Sequence, residues 1–173
     1  MLFRSHETAS TLTQQTIPAV PSSPGPAPLV ANLSVDPPGL PAGAQMAAAE
    51  VLLAEGWSTD GPAQAYLYVS NRNVGSALDP RGDAIAIFAL EPELALVRHV
   101  FTGLQQVRGM QLSGRAGVRG GAAPDAYLAA GGVAGDAGVV VMRRTLGGAD
   151  LEIVARNADV PTRSSFVWVD SGI

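Results

Sequence analysis

The sequence predicts an all-β fold, a β-propeller of four-stranded antiparallel blades, with about three blades in 173 residues. The first observation is an internal repeat, because three strand-like segments recur in the same order. The repeated pairs are AYLYVSN at 65–71 and AYLAAGG at 126–132, AIAIFAL at 84–90 and GVVVMRR at 138–144, and LALVRHV at 94–100 and LEIVARN at 151–157. The repeat period, about 57 residues, is close to the length of one propeller blade.

Two further observations favour strands over helices. Residues 60–173 show no sustained helical periodicity, and their apolar segments are short and evenly spaced. Turn-forming residues separate these segments, because 71–83 contains glycine, asparagine and an Asp-Pro pair and 114–124 is rich in glycine. Sandwiches and barrels share these features, but the internal period favours the propeller.

The first strands are predicted from local composition. Residues 10–17 (STLTQQTI) are rich in threonine and alternate in polarity, and 29–35 (LVANLSV) has the alternation of an edge strand. Eight of the 13 prolines fall between Pro18 and Pro41. Proline fixes φ and donates no hydrogen bond, so residues 18–45 are predicted to form a long surface excursion.

The segment 46–53 (MAAAEVLL) has mixed signals, because alanine and leucine favour a helix. We predict a strand, since the same place in the next unit is held by 108–114 (RGMQLSG). The last strand, SFVWV at 165–169, is expected to begin another blade or to close the ring. The prediction is one partial propeller domain, 1–173, divided into an incomplete blade at 1–35, a blade at 46–107, and a blade plus closing strand at 108–173.

Composition excludes several classes of function. The formal net charge is −4 and only 15% of the residues are charged, so a nucleic-acid partner is not expected. There is no cysteine, and His6 and His99 are far apart and are expected to be packed or at the surface, so neither a metal site nor another cofactor is predicted. No long apolar run or secretory leader is apparent, and we therefore expect no membrane association and a cytoplasmic location.

The blade sequence resembles a known family. AAAEVLL at 47–53 is followed by LYVSNRN, AIAIFALEP, a Thr-Gly pair at 102–103 and VRGMQLSG. This order is similar to a blade of the seven-bladed propeller lactonases, the 6-phosphogluconolactonase type with its fungal carboxymuconate cyclase relatives. HETASTLTQQ also resembles the N-terminal strand motif of that family. The resemblance covers nearly the whole chain except the proline-rich excursion.

The number of blades is the main departure from that family. A seven-bladed ring needs roughly 350 residues at about 50 per blade, and this chain resembles the C-terminal half. A partial ring leaves two blade faces uncovered. We therefore expect either a fragment or a chain whose ring is completed by the missing blades or by another chain.

The resemblance implies a site at the central tunnel. Opening a lactone requires a base that activates water, and positive groups where charge develops on the carbonyl oxygen. Arginine suits a phosphate or carboxylate because it can bind it bidentately. The matching residues are Glu50 as base or water-positioning group, Arg72 and Arg108 as anion and oxyanion partners, and Glu7 and Asn71 as substrate-binding residues.

Each of these residues has a structural alternative. Glu50 and Arg72 could form an ion pair between adjacent strands, since buried carboxylates usually have a partner. Arg108 could cap the start of the inner strand, Glu7 could be solvated, and Asn71 could close a turn. Arg72 is the strongest candidate, because the second copy of its strand, AYLAAGG, lacks the Asn-Arg pair.

Two classes of function remain. The first is an enzyme acting on lactones, either hydrolysing a sugar-acid lactone such as 6-phosphogluconolactone or, as a carboxymuconate cyclase does, forming a lactone from a small carboxylate. The second is a non-catalytic propeller fragment or interaction scaffold. We expect weak or absent activity for this chain alone.

Overall fold

Three antiparallel β-sheets make up the chain in a computed structural model, which describes residues 1–17, 25–57, 64–114, 125–134, 138–160 and 165–169. The first sheet contains β1 (Leu2–His6), β2 (Thr11–Gln15) and β3 (Leu29–Ser34). The second contains β4 (Met46–Ala54), β5 (Tyr66–Asn73), β6 (Ala84–Ala89) and β7 (Ala95–Phe101). The third contains β8 (Gln105–Leu112), β9 (Tyr127–Ala134), β10 (Gly138–Thr145) and β11 (Asp150–Asn157).

Each sheet is a meander in which sequence neighbours are also spatial neighbours. The only helical element in the described residues is one 3-10 turn, Leu146–Gly148, so the all-β prediction is confirmed. Within the described ranges, no helix is long and apolar enough to cross a membrane.

The second sheet is buried on both faces, because it packs between the other two. Alternate residues of β5 point to opposite faces: Tyr66 and Tyr68 pack against the third sheet, and Leu67 and Val69 pack against the first. This double burial explains why β6 (AIAIFA) and the first half of β5 (YLYV) are continuous apolar runs. Two separate apolar cores therefore hold three blades face to face.

The first strand of each sheet lies next to the first strand of its neighbour. β4 contacts both β1 and β8, and each of these three strands is an edge of its own sheet. In a propeller the innermost strands of the blades meet around the axis in this way. Residues on β1, β4 and β8 can therefore share one site although they are far apart in sequence.

Three boundaries differ from the sequence-based expectation. The strand expected over 46–53 forms as β4, but residues 165–169 form no strand; instead Trp168 stacks on Tyr127, with ring centroids 6.5 Å apart. The third sheet begins at Gln105 and not at Arg108, because β8 pairs with β9 on both sides of the bulge at Arg108. Asn71 lies inside β5 and not in a loop. The expectations for residues 18–24 and 115–124 lie outside the described residues.

Neighbouring arginines on β10 have opposite environments. Arg143 is exposed and pairs with the exposed Glu152 at 2.6 Å. Arg144 is 2% exposed and lies between the second and third sheets. Its Nε donates to Tyr68 Oη at 2.7 Å, and its Nη atoms donate to the carbonyls of Glu55 and Asp125 at 2.8 and 3.0 Å. Arg144 therefore joins two blades without a carboxylate among its hydrogen-bond partners.

His99 gives the fold a predicted pH dependence. This half-buried side chain on β7 contacts the Val35 carbonyl through Nε2 at 3.0 Å, and burial lowers the pKa of His99. The folded state therefore binds fewer protons than the unfolded state near the ordinary histidine pKa of about 6.5. The stability that depends on neutral His99 is present above that pH and is lost as the pH falls through the lowered pKa.

Urea denaturation between pH 5 and 8 checks this expectation. The contribution of His99 to the free energy of unfolding should rise with pH, so the wild type should gain more stability with pH than His99→Gln does. Equal pH slopes for the two proteins would show that His99 titrates alike when folded and unfolded.

Candidate functional site

An open cavity of about 380 Å³ lies where β1, β4 and β5 meet β8. Its lining includes two arginines and one carboxylate, and the lining residues are Ser5, Glu7, Ala48, Ala49, Arg72 and Arg108. All three sheets contribute to this lining. Because the cavity joins residues from sequence positions 5 to 108, the packing of the blades creates it.

β-Bulges interrupt the two strands at the heart of the cavity. On β4 the pairing moves from Ala48–Asn71 to Val51–Val69, so that Ala49 and Glu50 face one residue. That residue is Ser70, whose Oγ accepts the Glu50 N–H at 3.0 Å. On β8 the extra residue is Arg108, between the Val107–Gly132 and Gly109–Gly131 pairs. A bulge redirects side chains and is common beside active sites.

Arg72 lies near the end of β5 and is only 4% exposed. Its guanidinium forms an ion pair with Glu7, whose side chain is 67% exposed in the turn after β1. Arg72 Nε has no hydrogen-bond acceptor within the described residues. Buried donors normally have an acceptor, so this buried nitrogen is an exception to the usual pattern, and it is the Nη2 atom of Arg72 that contacts Glu7 at the cavity.

Glu50 lies beside the cavity and is absent from its lining. Its Oε2 accepts the backbone N–H of Met110 at 3.2 Å, so the side chain bridges β4 to β8. The ion pair between Glu50 and Arg72 that the sequence left open as an alternative is wrong, because Arg72 pairs with Glu7. Glu50 therefore fixes the position of two strands that carry cavity residues.

Arg108 is exposed, lines the cavity and has no salt-bridge partner among the described residues. Its place is a bulge within β8, so it does not cap the start of that strand as the alternative proposed. No cluster of three or more histidine, aspartate or glutamate side chains suited to a metal exists in the part of the chain that the structure describes.

Asn71 is fully buried and is not part of the cavity lining. Its Nδ2 donates to the Val35 carbonyl at 2.7 Å, and its Oδ1 accepts from Ser10 Oγ at 3.3 Å. These contacts join the second sheet to the first. The geometry gives Asn71 a structural place between blades and no contact with the cavity.

Sequence reasoning missed Ser5 on β1. Its Oγ donates to the Ala49 carbonyl at 3.0 Å, next to the bulge, and the residue lines the cavity. Little in the sequence pointed to Ser5, because the segment LFRSH alternates like any strand with a solvated face and contains no motif around the serine.

The fold is similar to that of a solved lactonase. The structure of Pseudomonas aeruginosa periplasmic gluconolactonase, PpgL, aligns with a TM-score of 0.61 and 17% sequence identity over 94% of this chain. The aligned region is 38% of that protein, so this chain spans well under half of its length. The likeness shows a propeller fold, as the sequence predicted.

No protein-family model matches the chain, and neither does any curated protein. The expected cytoplasmic location is contradicted, because the structure to which this chain is similar belongs to a periplasmic protein.

Proposed function

We propose that the cavity binds the lactone of a sugar acid and hydrolyses it, with Arg72 and Arg108 binding the negative charge. The supporting observation is that two guanidinium groups from different sheets line one cavity together with a carboxylate. Lactone opening places charge on the carbonyl oxygen and leaves a carboxylate product. Arginine stabilises both kinds of anion through charge-assisted hydrogen bonds.

The proposed reaction needs a base that can contact water. Water oxygen adds to the lactone carbonyl carbon, the ring C–O bond breaks, and the ring oxygen leaves as a hydroxyl after taking up a proton. We assign the base to Glu7, because its carboxylate lines the cavity and is open to solvent. Glu50, the base that the sequence suggested, is absent from the cavity lining and accepts the Met110 N–H, so it receives a positioning role.

Hydrolysis is preferred to lactone formation for one reason. The fold is similar to that of a protein described as a gluconolactonase. The arginines would suit either reaction, and the site supplies no further feature that favours a cyclase.

A paired substitution tests the assignment of the base. Glu7→Gln should lower kcat for 6-phosphogluconolactone by about 100-fold, the usual contribution of a general base. Glu50→Gln keeps an oxygen that can accept the Met110 N–H, and should lower kcat less than about tenfold. Hydrolysis is followed by acid release after subtraction of the uncatalysed rate.

Comparing the two variants shows which glutamate acts as the base. A larger loss in Glu50→Gln than in Glu7→Gln would return the base role to Glu50. We infer weak hydrolysis by this chain, which carries about three blades, and a wild-type rate equal to the uncatalysed rate would contradict hydrolysis.

A further inference from the structure

Asp83 is a buried carboxylate that connects the two arginine-bearing strands. The residue directly precedes β6 and is 2% exposed. Its Oδ1 accepts the N–H of Asn73 at 3.1 Å, and its Oδ2 accepts the N–H of Val107 at 3.0 Å. Asn73 directly follows Arg72, and Val107 directly precedes Arg108. One side chain therefore holds the backbone beside both arginines.

The backbone that meets Asp83 adopts unusual conformations. Gln106, which precedes Val107, has a φ of 53°, a left-handed value that is uncommon for residues other than glycine. Gly82 has a φ of 79°, and a Cβ there would lie 2.5 Å from Gly103 Cα. Such local strain persists only where surrounding contacts impose it. The contacts of Asp83 supply that constraint at the start of β8.

Burial makes the negatively charged form of Asp83 less favourable than it is in water. Burial raises the pKa of Asp83, while the N–H groups of Val107, Asn73 and Gln106 and the positive charge of Arg72 oppose the rise. Asparagine would replace one of the two acceptor oxygens by an NH2 donor, which cannot accept an N–H, so the carboxylate is what satisfies β5 and β8 together in this geometry. The charge of Arg72 also connects this carboxylate electrostatically to the cavity.

We propose that Asp83 is a positioning residue that fixes the separation of Arg72 and Arg108 and so sets the affinity of the cavity for an anion. This inference rests on the proposed function. Asp83 acts through the backbone of Asn73 and Val107 and is not itself part of the cavity lining. Displacing one guanidinium by about 1 Å is enough to weaken a two-point contact strongly.

The same substitution at a second buried aspartate provides the matched control. Asp79 lies in the same loop, and its side chain, 3% exposed, binds Arg81 at 2.6 Å. In the full chain, Asp83→Asn should weaken gluconate binding by about tenfold or more, measured calorimetrically. Asp79→Asn should lower the melting temperature but leave the gluconate Kd within about twofold. A merely structural role for Asp83 would give the two variants the same unchanged Kd.

NMR of the arginine side chains tests the positioning role of Asp83 without gluconate. The side-chain Nε–Hε signals of Arg72 and Arg108 should move in Asp83→Asn and stay in place in Asp79→Asn. Unmoved signals in Asp83→Asn, or equal changes of Kd in the two variants, would overturn the positioning role. If wild-type chain binds no gluconate, the proposed function fails, and the arginine signals still decide whether Asp83 positions the side chains.

Discussion

Replacing Arg72 by methionine is expected to weaken gluconate binding by about 10- to 100-fold. Methionine fills most of the same buried space but removes the charge-assisted hydrogen bonds of the guanidinium, each worth about 1.5–3 kcal/mol. Arg72 is almost fully buried and lines the cavity, so its bonds to an anion are shielded from water. Isothermal titration of the folded variant with gluconate measures the loss.

Arg98→Met is the control for this experiment. Arg98 lies on the exposed strand β7 and pairs with Asp150 at 2.5 Å, away from the cavity lining. Its removal should leave the gluconate Kd unchanged, because exposed ion pairs contribute little and this one does not touch the site. Equal affinity of Arg72→Met and Arg98→Met for gluconate would mean that Arg72 does not bind the anion.

Replacing Arg144 by alanine is expected to lower the free energy of unfolding by about 3 kcal/mol. The substitution removes three hydrogen bonds at about 1 kcal/mol each and leaves the Glu55 and Asp125 carbonyls without this donor. It also removes contacts of the guanidinium with the rings of Trp57 and Tyr68, at 5.0 and 5.3 Å from their centroids. These contacts hold the second sheet against the third.

The adjacent residue is the matched control for Arg144. Arg143→Ala removes only an exposed ion pair with Glu152 and should change the free energy of unfolding by less than about 0.5 kcal/mol. Urea denaturation of both variants gives the comparison. Similar losses in the two proteins would contradict the role of Arg144 between blades.

The repeat in the sequence was sufficient to predict the fold. The short apolar segments in AYLYVSN and AIAIFAL correspond to β5 and β6, and the turn residues between them correspond to the loop that joins these strands. The segment 165–169 was mispredicted because its alternating apolar residues resemble a strand, whereas Trp168 packs on Tyr127. Local pattern does not reveal whether a neighbouring strand is available for pairing.

The candidate site was predictable in part. The sequence singled out Glu7, Arg72 and Arg108, which the fold brings to one cavity. The sequence did not predict the burial of Asn71 or the hydrogen bond from the Met110 N–H to Glu50, because both depend on the packing of separate blades. The burial of Asp83 and its contacts with β5 and β8 were not predicted either, since an aspartate at the end of a turn usually faces solvent.

Mapping gluconate binding on the 15N-labelled chain by NMR shows whether the cavity between the first strands is the ligand site. Amide shifts should concentrate at Ser5, Glu7, Ala49, Arg72 and Arg108. A second cavity, lined by 111–114 and 166–168, provides the contrast. Shift changes confined to that second cavity, or no shift changes at saturating gluconate, would contradict a ligand site between the first strands.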